Sequence, residues 1–222
     1  MVPLEEARPV YGGTPSDQTV MQAIRHLNSL GKEVMYYPFI LMDQMAGNGL
    51  PDPWSDSEDQ PVLPWRGRIT ASVAPGRSGS PDQTALAEAE VAAFFGTAAA
   101  SDFDIGEDTV SYSGPEEWRY RRFILHQAAL CAAAGGVESF CIGSEMRSLT
   151  WIRDAGNVFA AVEQLCDLAD EVRALLGPEV KIGYAADWSE YFGYHPQDGS
   201  GDLWFHLDRL WAHDAIDFVG IA

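Results

Sequence analysis

Three acidic residues stand where predicted strands end. Ser139-Phe140-Cys141-Ile142-Gly143-Ser144 runs straight into Glu145, the segment 34–42 delivers Asp43, and the segment 180–186 delivers Asp187. Parallel strands laid side by side gather such acids at their carboxyl edge, where α/β barrels and open α/β sheets hold their sites. An acid there can hand a proton to a leaving oxygen while a second carboxylate attacks or activates water. Glu145 is the leading candidate. The alternative is a strand-end carboxylate that caps backbone amides or pairs with Arg147. Asp43 and Asp187 carry the same ambiguity, because Asp is common where a strand yields to a loop.

Aromatic residues near these acids suit a sugar, whose C–H faces are apolar and whose hydroxyls are polar. Trp188 follows Asp187, Trp151 lies shortly beyond Glu145, and Trp65 sits in a long loop expected over the site. Together with Asp43, Ser144 and Asp187 they form the expected binding set around Glu145. Trp204 and Trp211 fall on one predicted helix and read as packing residues. His206 and His213 share that helix, and His195 lies in the loop beyond Asp187. No H-E-x-x-H or paired-Cys spacing predicts a metal, so neither metal nor cofactor is expected. The G-x-S-x-G elbow is absent around Ser144, and Tyr11-Gly12-Gly13-Thr14 lacks the lysine of a phosphate loop.

The 222 residues suit one domain, with 46% apolar residues for a core. No apolar run reaches the length of a membrane span, and the first residues show no secretory signal. A formal charge of −19 argues against a nucleic-acid partner, whose phosphates it would repel. A neutral or cationic ligand fits that charge better, as does a merely well-solvated surface. Cys131, Cys141 and Cys166 have apolar neighbours and read as buried reduced thiols, which fits synthesis in a reducing compartment.

The elements that position the acids follow from periodicity. A helix opens near Thr14, Pro15 and Asp17, carries Val20, Ile24 and Leu27 on one face, and ends at Gly31. Its preceding strand would lie upstream or in Pro9-Val10-Tyr11. From Asp43 to Asp82 runs a Pro- and Gly-rich excursion, longer than an idle loop, whose Trp54 and Trp65 argue for order. Within it Trp65-Arg66-Gly67-Arg68-Ile69 is expected as a short strand or hairpin. Further helices are expected over 84–99, from Pro115 to Gly135-Gly136, over 157–176 and over 202–213. A weak strand falls at 109–112 and a final one at 217–221.

Strand–helix alternation over the last part of the chain predicts parallel, buried strands with right-handed crossovers. The fold class is α/β, a (β/α)8 TIM-barrel-like architecture. A closed barrel takes ~250 residues. Residues 1–222 are therefore expected as a single, incomplete barrel domain whose C-terminal strands are missing, with the excursion 43–82 over its mouth.

Tyr11-Gly12-Gly13-Thr14-Pro15-Ser16-Asp17, Tyr37-Pro38-Phe39-Ile40-Leu41-Met42-Asp43, Pro64-Trp65-Arg66-Gly67-Arg68-Ile69-Thr70, Trp118-Arg119-Tyr120-Arg121-Arg122 and Cys141-Ile142-Gly143-Ser144-Glu145-Met146-Arg147 together carry a resemblance. From about Val10 to Ile221 the chain resembles the TIM-barrel-like, glycoside-hydrolase-like domain of the large tail (hub) proteins of gene transfer agents and related phage tails. That resemblance implies synthesis in the cytoplasm and assembly into the tail of a phage-like particle. Its implied partners are a carbohydrate or cell-envelope glycan and other tail or baseplate proteins. It also implies hydrolysis of cell-envelope polysaccharide such as peptidoglycan, or else a non-catalytic glycan-binding or structural role on the same fold. In retaining glycosidases of similar fold the acid/base is a Glu ending the fourth strand, which Glu145 matches. Ser144 stands where such enzymes usually carry Asn. Their nucleophile, a Glu ending the seventh strand, is expected beyond Ile221.

Overall fold

The computed structural model describes residues 4–9 and 12–222. Two short strands, β1 (Leu4–Glu5) and β2 (Arg8–Pro9), pair antiparallel and stay apart from the main sheet. The strand expected over 9–11 thus has only its first residue in β2, while Val10 and Tyr11 lie outside the described residues. Helix α1 (Asp17–Ser29) is capped by Ser16, whose hydroxyl accepts the Thr19 N–H, rather than by Thr14. It buries Val20, Met21 and Ile24 but leaves Leu27 exposed, and Gly31 ends it with φ 65°.

The strand after α1 is far shorter than its apolar run suggested. Strand β3 covers only Met35–Tyr36. Pro38 lacks an N–H for the ladder, and 37–42 continues as irregular chain. Asp43 is therefore not a strand-end residue. The excursion that follows is ordered without sheet. Trp54 Nε1 donates to Arg68 O at 2.9 Å, Arg68 pairs with Asp52 at 3.0 Å, and 66–68 forms a 3-10 turn rather than a strand.

Helix α2 (Ala85–Phe95) stops at Gly96 (φ 78°), short of the expected 99. Strands β4 (Phe103–Ile105) and β5 (Val110–Tyr112) form an antiparallel hairpin, so the weak strand at 109–112 does not join the parallel sheet. Helix α3 (Tyr120–Ala133) begins later than Pro115. Glu117, ahead of the helix, accepts the N–H groups of Thr97 and Ala98. Strand β6 (Ser139–Ser144) is buried throughout and leads into the single turn α4 (Arg147–Thr150). Helix α5 (Ala160–Leu176) packs on α2 and α3 through Val162, Leu165, Ala169 and Val172, while Val158 is exposed before it starts.

Strand β7 (Lys181–Ala186) follows, then the single turn α6 (Asp208–Trp211) and strand β8 (Phe218–Ile221). The helix expected over 202–213 is reduced to α6. Trp204 bridges Tyr194 in extended backbone instead of sharing a helix with Trp211, and His206 and His213 are likewise separated. The main sheet runs β3-β6-β7-β8 with every neighbour parallel. Its two inner strands bury nearly every side chain against the helical layer, as parallel sheets require. This is a mixed α/β fold of partial TIM-barrel-like form, as the alternation predicted.

Candidate functional site

Glu145 sits at the carboxyl edge of β6, an inner strand of the sheet. Between Cys141 and Ser144 the pairing with β7 slips by a residue, so β6 carries a bulge immediately before the acid. Bulges re-aim side chains and cluster beside functional sites. Gly143 lies in that bulge. A Cβ there would stand 2.7 Å from Tyr120 Oη and 3.1 Å from the Tyr184 ring, so only glycine fits. Glu145 itself has φ 49°, a left-handed backbone unusual for a bulky residue, and its N–H donates to Ala185 O at 2.8 Å. The main chain is thus pinned to β7 while the side chain turns out of the ladder.

The partner of that side chain is Arg66 from the excursion, not Arg147. Arg66 Nη2 contacts Glu145 Oε2, and both side chains are only 18% exposed. Arg66 also donates to Ser144 Oγ at 3.2 and 3.3 Å and lies over the Phe39 ring. The Tyr37 hydroxyl shares a further hydrogen bond with Ser144 Oγ. The excursion thus reaches the end of β6 through Arg66, whose cation rests on the leading acid. The sequence assigns neither Arg66 nor Tyr37 to the site, because nothing in their spacing tells which side chain lands on a distant strand end.

Asp187 ends β7, next to Glu145 in the sheet, and is buried. It behaves as a cap: its Oδ1 accepts the N–H of Ser189 at 3.0 Å and the Ser189 hydroxyl, opening the 3-10 turn 188–192. Arg147 Nη1 approaches the same oxygen at 3.9 Å. Trp188, on that turn, is 64% exposed. Asp43 lies beside Gly12, near 3.9 Å from where a Cβ would stand, and apart from any strand end. Trp65 folds back over Gly67, where its ring atoms leave no room for a Cβ. The structure thus brings Ser144, Glu145 and Asp187 to adjacent strand ends, while Asp43 lies in irregular chain seven residues beyond the end of β3.

Trp151 is half-buried and already engaged. Its ring stacks on Tyr194 with centroids 5.0 Å apart and carries the Arg147 guanidinium at 4.2 Å. These residues line a cavity of about 380 Å³ with Trp54, His195 and Gln197. Burial, with the nearby Asp82 carboxylate, pushes the Tyr194 hydroxyl up to about 12, so it stays a neutral donor at working pH.

Behind the turn lies a cluster that the sequence did not disclose. Glu190 accepts the Asp187 N–H at 2.8 Å and the Thr150 hydroxyl at 2.6 Å, with His206 Nε2 3.5 Å away. It ties the chain after β7 to the turn after β6. Glu190 and His206 border a second, mainly apolar cavity of about 520 Å³ against Phe205, Trp211, Val219 and Ile221. Burial pushes the Cys141 and Cys166 thiols up to about 11 and Cys131 higher still, so all three remain inert thiols. Among the described residues no three His, Cys, Asp or Glu side chains converge as metal ligands, and no helix is long and apolar enough to cross a membrane.

Consecutive parallel strands, helices laid against them and a covered acid at the carboxyl edge define a TIM-barrel-like α/β domain. Residues 118–222, from just before α3 through β8, match the GTA TIM-barrel-like domain, in keeping with the resemblance carried by the sequence. No curated protein matches the chain.

Proposed function

We propose that this chain is a glycoside-hydrolase-like module of a gene transfer agent or phage-like tail, acting on cell-envelope polysaccharide such as peptidoglycan, with Glu145 as general acid/base. One observation carries the reading. Glu145 is held in left-handed backbone at the carboxyl end of an inner parallel strand, behind a bulge that turns its carboxyl out of the ladder. The family match over 118–222 supports assembly into a phage-like particle beside other tail or baseplate proteins. Arg66 lies against one carboxyl oxygen, so proton delivery to a glycosidic oxygen requires the excursion to give way.

The test is turnover of peptidoglycan or a chromogenic glycoside by the full-length protein, with Glu145→Gln as control. The expected result is hydrolysis that falls at least ~100-fold in the variant, the scale of a lost general acid. The Arg66 contact favours a second reading, a non-catalytic glycan-binding or structural tail module. Glycan binding without turnover selects that reading.

A further inference from the structure

Arg147 follows shortly after Glu145 and has more hydrogen-bonding capacity than the fold uses. Its guanidinium lies over the Trp151 ring at 4.2 Å, and Trp151 is in turn backed by the nearly parallel Tyr194 ring. Stacking fixes the plane of a guanidinium yet leaves its N–H edge free. Among the described residues that edge donates no hydrogen bond. The nearest carboxylate oxygen, Asp187 Oδ1, is 3.9 Å away and already accepts from the Ser189 N–H and hydroxyl. The Trp151 indole N–H is buried and has no partner among the described residues. Both donors belong to residues lining the cavity of about 380 Å³, near the lower end of known small-ligand sites.

We propose that this cavity receives the acidic residue of a glycan, its carboxylate taken by the free edge of Arg147. The inference rests on the glycan reading above and deepens it by naming the sugar class. A planar guanidinium edge matches the two oxygens of a carboxylate, and charge-assisted pairs of this kind are among the stronger hydrogen bonds. The protein's charge of −19 repels an anion at long range, but salt screens exposed charges beyond ~8 Å. Contact at the cavity wall then decides selectivity.

The experiment titrates full-length, ¹⁵N-labelled protein with glucuronate and, separately, with glucose, following the Trp151 indole resonance identified through Trp151→Phe. Glucuronate should bind about tenfold more tightly than glucose, the value of one charged hydrogen-bonded contact. Arg147→Gln should abolish that preference with the melting temperature unchanged, and Arg147→Lys should keep part of it. Equal binding of the two sugars, or a preference that survives Arg147→Gln, overturns the proposal. So does the absence of any shift with either sugar. If the wild type nevertheless hydrolyses a glycan, the hydrolase reading stands while the acidic subsite falls.

Discussion

Gly143 and Glu145 show how single positions set the site. The glycine lets Tyr120, Met146 and Tyr184 close over the bulge, and the Tyr120 hydroxyl donates to Ile142 O inside it. Gly143→Ala should cost about 1–3 kcal/mol through overpacking, read as a lower midpoint in denaturant unfolding. Arg66 acts on the carboxyl itself. Arg66→Met should free Glu145 and leave Ser144 Oγ bonded to Tyr37 alone. The expected result in the full-length protein is faster hydrolysis, or tighter glycan binding if the module is non-catalytic. A variant that behaves as wild type in both assays shows that Arg66 does not guard the acid.

At the scale of elements, a buried ion pair holds the excursion in place. Arg153 is buried and pairs with Asp82 at 2.6 Å, fastening the end of the excursion to the segment between α4 and α5. Breaking a buried pair by removing one partner leaves an uncompensated charge and costs roughly 3–5 kcal/mol. Arg153→Met should therefore destabilise strongly, with limited proteolysis cutting first within 43–82. The cap of α1 is a smaller effect. Ser16→Ala should cost about 1 kcal/mol, visible as a modest drop in unfolding free energy. The shortness of β3 belongs to this scale too, since one proline decides where its ladder stops.

For the whole molecule, acid is the informative perturbation. Burial pushes the Asp52 carboxyl up, but bonds from the Ser55 hydroxyl and the Trp54 N–H, with Arg68, outweigh it and hold the group below the usual range. Asp217 behaves alike: burial is outweighed by the Ile182 N–H and by Arg173 at 2.5 Å. A carboxyl depressed on folding adds stability above its unfolded value near ~3.9, and that stability is lost as pH falls through the folded value. Thermal stability should thus hold from neutral pH down to about 4 and decline below it. Asp217→Asn should make that decline shallower in a melting series across pH. A decline identical to wild type removes Asp217 from this account.

The sequence by itself determined the parallel strands at 139–144, 181–186 and 218–221, because continuous apolar runs bounded by glycines and acids have few other places to go. It also placed Glu145 and Asp187 at adjacent strand ends, since each directly follows its ladder. It could not show that β3 stops at Tyr36, well short of Asp43, that only 208–211 of the stretch 202–213 is helical, or that Asp187 is spent on capping its own turn. Those outcomes depend on which backbone groups find partners across the fold. Only the tertiary structure decided that Arg66 rests on Glu145 and that Trp151 and Tyr194 hold Arg147. Long-range charge and stacking contacts join residues whose separation in the chain carries no periodic signal.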